Sequence, residues 1–366
     1  MVLRLNINRN KPQVNRNFNI CVIPGDGIGK EVMPEAINIL RAVEKKYNLK
    51  FSFDTKDWSC KRFNEKGAMM PDDGLEKIQG SDAILLGACG FPGVPDHVSL
   101  WGLLIPIRRK FGQYLNLRPV RMFEGLKSPL KNREYGDIDF LVVRENNEGE
   151  YSEIGGLLYK DTPEEMAVQQ SVFTRKGTGR VMHAAFNLAK GRKRKHVTSA
   201  TKSNGILHSM PYWDARFKEI AMEYPEVSTD QFHIDILSAH FVLHPDWFDV
   251  IVASNLFGDI LSDLGPAITG TIGIAPSGNI NPERNYPSCF EPVHGSAPDI
   301  AGRGIANPIG QIWSAAMMLE HLGCLEAAAD IVSAIEETLR TSDCKTPDMG
   351  GNSTTQELGK VIAANL

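Results

Sequence analysis

Paired cysteines, long apolar runs, internal repeats and a large excess of charge are all missing from this 366-residue chain. Each absence removes a class of protein. The six cysteines, Cys21, Cys60, Cys89, Cys289, Cys324 and Cys344, are scattered, with no Cys-x-x-Cys pair. That leaves neither a disulfide framework nor a zinc-ligand pattern, and it suits a reducing compartment. No apolar run reaches the ~18 residues that span a bilayer, so no membrane partner is expected. A net charge of −4 argues against wholesale nucleic-acid binding. The first 18 residues contain no acid and no serine, and lack the apolar core of a secretory signal. They read as a flexible extension, and the cytoplasm is the expected location.

What remains is an ordinary globular composition, 42% hydrophobic and 23% charged, with enough chain for two domains or one large α/β unit. Asn19–Ile23 reads as a buried strand running into Pro24-Gly25-Asp26-Gly27-Ile28-Gly29, followed by a helical pattern from about Glu31 to Tyr47. Ala83–Leu86, Ile138–Val143 and Asp249–Ala253 are further apolar strands, each delivering polar residues where it stops. Apolar runs alternating with helical periods indicate an α/β fold with a mostly parallel sheet, whose ligand sites gather beyond strand ends.

Several patterns carry chemistry, each with a plainer reading beside it. Asn255–Pro266 directly follows a strand, and Gly265-Pro266 is expected to stop the helix it forms. Asp259 and Asp263 are four apart, so both carboxylates leave one helical face. Like charges at that spacing repel unless a cation lies between them, and oxygen ligands suit Mg²⁺ or Mn²⁺. A solvated acidic face is the alternative. In Gly25-x-Gly27-x-Gly29 the third glycine comes one residue too early for the Rossmann fingerprint, which favours a tight strand-to-helix turn. The loop His294–Gly302 combines small residues with polar groups, as a ligand-approaching loop or an ordinary one would. Arg108, Arg118 and Arg144 lie near element ends and could together grip a dicarboxylic acid, although most arginines are surface charge. The basic run 192–195 reads as a solvated helix end rather than a nucleic-acid patch.

Taken together, Ile23–Gly29, Asn116–Pro119, Val143–Glu145, Thr201–Asn204, Asn255–Leu264 and Glu291–Ile300 resemble, in order, the landmarks of the β-decarboxylating dehydrogenase family. That family includes the isocitrate, 3-isopropylmalate, tartrate and D-malate enzymes. The resemblance covers nearly the whole chain from Asn19. It implies a two-domain α/β fold of the isocitrate/isopropylmalate dehydrogenase kind, without a Rossmann fingerprint. Residues 1–113 with 270–366 would form a large nucleotide-side domain, and 114–269 a small domain with substrate, metal and dimer contacts. By the same resemblance Arg108, Arg118 and Arg144 bind the substrate carboxylates, Tyr151 protonates the enol carbon after decarboxylation, and Lys202 assists removal of the hydroxyl proton. Asp235, Asp259 and Asp263 match the metal carboxylates. His294, Gly295, Ser296, Ala297, Asp299, Ile300 and Asn307 match nucleotide-binding positions. The implied cofactors are NAD and Mg²⁺ or Mn²⁺, with a monovalent cation such as K⁺ left open. In relatives the counterparts of Lys202 and Asp235 come from the neighbouring subunit, implying a homodimer.

Substrate choice follows the same logic. Isocitrate enzymes place Ser and Asn six and four residues before the first substrate arginine, where this chain has Gly102 and Leu104. Isopropylmalate enzymes place Glu seven before it, where Trp101 stands and could fill the space of an isopropyl group. The stretch Pro95–Gly102 resembles the D-malate and tartrate branch. Oxidation of D-malate to pyruvate and CO₂ is therefore expected first, tartrate second and 3-isopropylmalate third. A catalytically silent regulatory subunit is the alternative of another class, against which Tyr151, Lys202 and three intact aspartates argue. In NAD-using relatives an acid at the Asp299 position meets the adenine-side ribose, whereas NADP users carry Lys then Tyr at positions 299 and 300.

Overall fold

The computed structural model describes residues 16–366. Its strands are β1 (Arg16–Gly25), β2 (Leu49–Thr55), β3 (Ala83–Ala88), β4 (Leu115–Arg121), β5 (Asp139–Glu145) and β6 (Gly155–Leu158). They continue with β7 (Met166–Gln169), β8 (His196–Thr201), β9 (Ser228–His233), β10 (Val250–Ala253), β11 (Pro276–Ile280) and β12 (Ser288–Pro292). Ten strands form one sheet in the order β2-β1-β3-β12-β11-β4-β5-β10-β8-β9. Two parallel blocks, β2-β1-β3-β12 and β5-β10-β8-β9, are joined through antiparallel pairings of β11 and β4 with their neighbours. The expected mostly parallel α/β sheet is the one observed.

Alternation along the strands makes this a sheet buried on both faces. Ile20, Val22, Ala83, Leu85 and Phe290 join the main core, while Cys21, Ile23, Ile84, Leu86 and Cys289 join a second cluster with Trp58, Leu103, Ile107 and Phe111. That second layer contains helix Ile105–Lys110, which carries Arg108. Arg16–Phe18 belong to β1, so the expected flexible extension over 1–18 is corrected there by strand pairing with β2; the rest of that expectation lies outside the described residues.

Glycines decide two close approaches. Gly25 and Gly27 have φ of +73° and +51°, and a Cβ on either would stand 2.0 Å from a backbone oxygen, that of Ala88 or Ser296. The Gly25–Gly29 segment is thus the tight turn expected of it.

Helix Asn255–Thr269 differs from expectation at its end. Gly265-Pro266 does not stop it, and it runs on to Gly270, whose φ is +126°. Proline's fixed φ is helical and its missing N–H costs one bond, a loss that packing outweighs. Gly265 lies so close to β4 that a Cβ would meet Val120 at 2.4 Å.

The basic run after helix Arg175–Lys190 lies at the surface, with its two arginines bonded to neighbouring segments. Arg192 pairs with Asp249 and Asp139, and Arg194 donates to the carbonyls of Asp246, Trp247 and Phe248. Arg192 is half-buried, while Lys193, Arg194 and Lys195 are exposed.

Candidate active site

Two strands and a helix bring their arginines to one place. β5 carries Arg144, β4 carries Arg118, and helix Ile105–Lys110 carries Arg108; the three side chains are 2%, 8% and 7% exposed. Such burial of guanidinium groups requires partners. Helix Asn255–Thr269 supplies them because Gly258 lets it lie against β5, where a Cβ would stand 2.6 Å from Arg144 Cβ. Arg144 donates through Nε and Nη2 to Asn255 Oδ1 at 3.1 and 2.7 Å, and through Nη1 to Asp259 Oδ1. Arg118 Nη1 donates to Ser262 Oγ at 2.6 Å and lies 3.4 Å from Asp263 Oδ1. Arg108 Nη2 donates to Glu291 Oε1 at 2.9 Å. The Nε atoms of Arg108 and Arg118 are buried without a partner among the described residues, as donors facing a carboxylate ligand would be.

Tyr151 closes the cluster. Its hydroxyl donates to Asp259 Oδ2 at 2.7 Å, and the Arg144 guanidinium sits 5.4 Å from its ring centre. Burial, then the hydrogen bond to Asp259, raises the phenol above its ordinary range. Burial also acts to raise Asp259, but the charges of Arg144 and Arg118 outweigh it and hold that carboxyl below the usual range. Burial lowers Arg144 to about 10, against the opposing pull of Asp259. The guanidinium therefore stays charged at neutral pH.

The loop bearing Tyr151 is anchored by acids that sequence reading left without a role. Glu145 accepts the N–H groups of Asn147 and Glu148, and burial lifts its carboxyl to about 7. Glu150 accepts from Ser254 Oγ and Leu256 N at the start of helix Asn255–Thr269, where a carboxylate also suits the helix dipole. Glu291, Asn279, Asn116 and Asn146 form a buried polar network behind Arg108. Glu291 and Asn116 lie in recognisable motifs; nothing local in the sequence marks Asn279.

Lys202 and Asp235 follow the ends of β8 and β9, whose parallel register places Thr201 opposite His233. They form an ion pair at 2.9 Å. The hydrogen bond from Lys202 lowers the Asp235 carboxyl. No hydrogen bond or ion pair joins them to the Tyr151–Asp259 cluster, and no three acid, histidine or cysteine side chains of one chain converge on a common metal position among the described residues. Asp259 and Asp263 do fit a hard cation from one side. Asp263 is largely exposed, and partial desolvation raises it, with the charge of Asp259 adding to the rise against the pull of Arg118. A divalent ion would answer that mutual repulsion.

The nucleotide-position loop packs on the glycine turn. Ile28 N donates to Ser296 O, and Glu31 accepts from the N–H groups of Gly302 and Gly304. Ala297, Ile300 and Ala301 rest on Ile28 and Val32. Asp299 is exposed and makes no hydrogen bond among the described residues, whereas Asn307 bonds Asp348 at 2.9 Å. Burial lowers the half-buried His294 imidazole, favouring its neutral form.

The profile described as "Isocitrate/isopropylmalate dehydrogenase" matches residues 19–362. A tartrate dehydrogenase/decarboxylase of Pseudomonas putida is 57% identical over 96% of this chain and 98% of its own. A decarboxylating D-malate dehydrogenase of Escherichia coli K12 is 56% identical over 95% and 98%. The crystal structure of isocitrate dehydrogenase from Methylococcus capsulatus superposes with a TM-score of 0.86 at 33% identity, covering 95% of this chain and 99% of that one. Fold and site thus define an oxidative, decarboxylating dehydrogenase acting on a hydroxy acid. The chain belongs to the isocitrate/isopropylmalate dehydrogenase family.

Proposed function

We propose that the protein oxidises D-malate with NAD⁺ and removes its β-carboxylate, giving pyruvate and CO₂. The observation that carries this reading is the convergence of the buried Arg108, Arg118 and Arg144 with the half-buried Tyr151 and Asp259 in one cluster. Three cations suit a small dicarboxylate, and bidentate arginine contacts would fix its orientation. When bound, a divalent cation held by Asp259 and Asp263 supplies Lewis acidity at the hydroxyl and α-carboxylate oxygens, and the nicotinamide supplies the hydride acceptor. Lys202 assists loss of the hydroxyl proton. Tyr151, kept protonated by its raised pKa, returns a proton to the carbon that CO₂ leaves.

The substrate preference rests on the turn before Arg108. A Cβ at Gly102 would stand 2.8 Å from Met69 Cγ, so the serine of isocitrate enzymes would require that side chain to move. We read Trp101, where isopropylmalate enzymes carry Glu, as filling the space that a branched alkyl group would need. Tartrate is the second reading, supported by the name of the 57% identical relative, and 3-isopropylmalate the third.

We read Asp235 and Lys202 as contributions to the partner copy's site in a homodimer. Supporting this, the β6–β7 hairpin is exposed along all its residues and carries Leu157, Leu158, Met166 and Val168. Ile206, Leu207 and Ile236 are likewise exposed beside Lys202 and Asp235. Apolar surface of this extent marks association. We keep the division into domains 1–113 with 270–366, and 114–269, as the resemblance implies it; β11 and β4, which pair antiparallel, would lie on its two sides. All six cysteines are free and no helix among the described residues is long and apolar enough to cross a membrane; we assign the enzyme to the cytoplasm. The test is stoichiometry: each D-malate consumed in the presence of Mg²⁺ or Mn²⁺ yields one NADH, one CO₂ and one pyruvate. NADH without CO₂ would overturn the decarboxylating step for this substrate.

A further inference from the structure

We infer that Arg109 is a positioning residue that latches the Tyr151 loop to the helix carrying the substrate arginine Arg108. The inference rests on the proton-donor reading of Tyr151.

Arg109 follows Arg108 in helix Ile105–Lys110, but its side chain goes elsewhere. Nη2 donates to the backbone carbonyl of Tyr151 at 3.1 Å, and Nη1 pairs with Glu153 two residues further along that loop. The guanidinium also lies over the ring of Trp101, 4.9 Å from its centre. A flat cation between an indole face and a carbonyl is a geometry that arginine suits and lysine only partly reproduces.

The helix is built to make this possible. Residues eight apart on a regular α-helix are turned about 80° from each other at ~100° per residue. Here Leu100–Leu104 form a π-helical turn, which is wider and rotates less per residue. The extra turn width brings Trp101 and Arg109 onto one face. Such π turns carry a cost and are retained where they place a side chain.

Tyr151 is consequently held at both ends. Asp259 accepts from its hydroxyl, and Arg109 grips its backbone carbonyl. Other anchors of the loop reach β5, Val172, Thr174 and the start of helix Asn255–Thr269 through Glu145, Gly149, Glu148 and Glu150, and Gln169 of β7 donates to the carbonyls of Glu150 and Ser152. Arg109 is the link to the helix that grips the substrate and presents Trp101. Its action on chemistry is therefore indirect, through the distance between the phenol and the carbon that receives the proton.

The test is Arg109→Gln in the full-length enzyme, with Arg109→Lys and Tyr151→Phe beside it. Loss of the latch should lower kcat by about tenfold to a hundredfold, the scale of a small misplacement of a reacting group, with KM changed much less. Because proton return becomes slower, the solvent deuterium isotope effect on kcat should rise while the effect of deuterium at substrate carbon 2 falls. Arg109→Lys should recover part of kcat. An unchanged kcat, or a lower kcat with both isotope effects unmoved, would overturn the latch. If Tyr151→Phe itself fails to show this isotope signature, the proton-donor reading falls rather than the role of Arg109.

Discussion

Asp259 and Asp263 stand one helical turn apart on the same face, and their carboxyls are driven in opposite directions. Asp259 is half-buried, and although desolvation acts to raise it, Arg144 and Arg118 hold it below the ordinary range. Asp263, largely exposed, is lifted by partial desolvation and by its neighbour's charge, with Arg118 at 3.4 Å as its one ion-pair partner among the described residues. The first is an ion already committed to Arg144 and Tyr151; the second has only the counter-charge of Arg118, which it shares with Asp259. That difference makes Asp263 the cleaner probe of cation binding, since altering Asp259 would also release two other site residues.

Asp263→Asn should weaken Mn²⁺ binding by at least tenfold, read by direct metal titration, with the melting temperature little changed. In the wild type, metal competes with the proton on a carboxyl whose pKa is raised. Affinity should therefore climb as pH rises through the acidic range, and the variant should lose most of that slope. Equal affinities and equal slopes would remove Asp263 from the cation site.

Gly258→Ala tests how the helix is seated. Alanine favours a helix by about 1 kcal/mol over glycine, yet the new Cβ would meet Arg144 Cβ at 2.6 Å. Overpacking of this kind costs roughly 1–3 kcal/mol, so the net change should be a modest loss of stability. The fall in kcat/KM should exceed it, because Arg144 and Asp259 are displaced together. A variant as active as the wild type would show that the contact is not needed.

Mixing inactive Lys202→Ala and Arg144→Ala proteins under subunit exchange should restore activity. A heterodimer with shared sites regains one intact site of two, so an equal statistical mixture should reach about one quarter of wild-type activity. Demonstrated heterodimers without activity would place Lys202 in its own chain's site.

Cofactor choice should follow Asp299, exposed on the loop seated against Ile28 and Val32. A carboxylate accepts hydrogen bonds from a ribose diol and repels a 2′-phosphate. NAD should be preferred over NADP by roughly a hundredfold in kcat/KM. Asp299→Lys with Ile300→Tyr should narrow that gap; a wild type that uses NADP as well as NAD would show that Asp299 does not face the ribose.

Much of this site is legible along the chain because strand ends and helical spacing are local patterns. Arg144 follows the apolar run of β5 directly, and Asp259 and Asp263 share a face by their spacing alone. What is not legible comes from distant segments meeting. Arg108 and Glu291 are 183 positions apart and touch only because β12 lies beside β3, beneath the layer that carries helix Ile105–Lys110. Lys202 and Asp235 pair through the register of β8 with β9. Arg109 looks like any surface arginine until the π-helical turn aligns it with Trp101. The Gly265-Pro266 stop was a local rule overridden by packing against Val120, a contact that no window around residue 265 contains.

The central claim is the reaction on D-malate. It is tested most directly by NADH production from D-malate, the tartrates, 3-isopropylmalate and isocitrate, compared side by side as kcat/KM with Mg²⁺ or Mn²⁺ present. The account predicts D-malate first, tartrate next, and 3-isopropylmalate and isocitrate far behind. A higher kcat/KM for isocitrate or 3-isopropylmalate than for D-malate would contradict it.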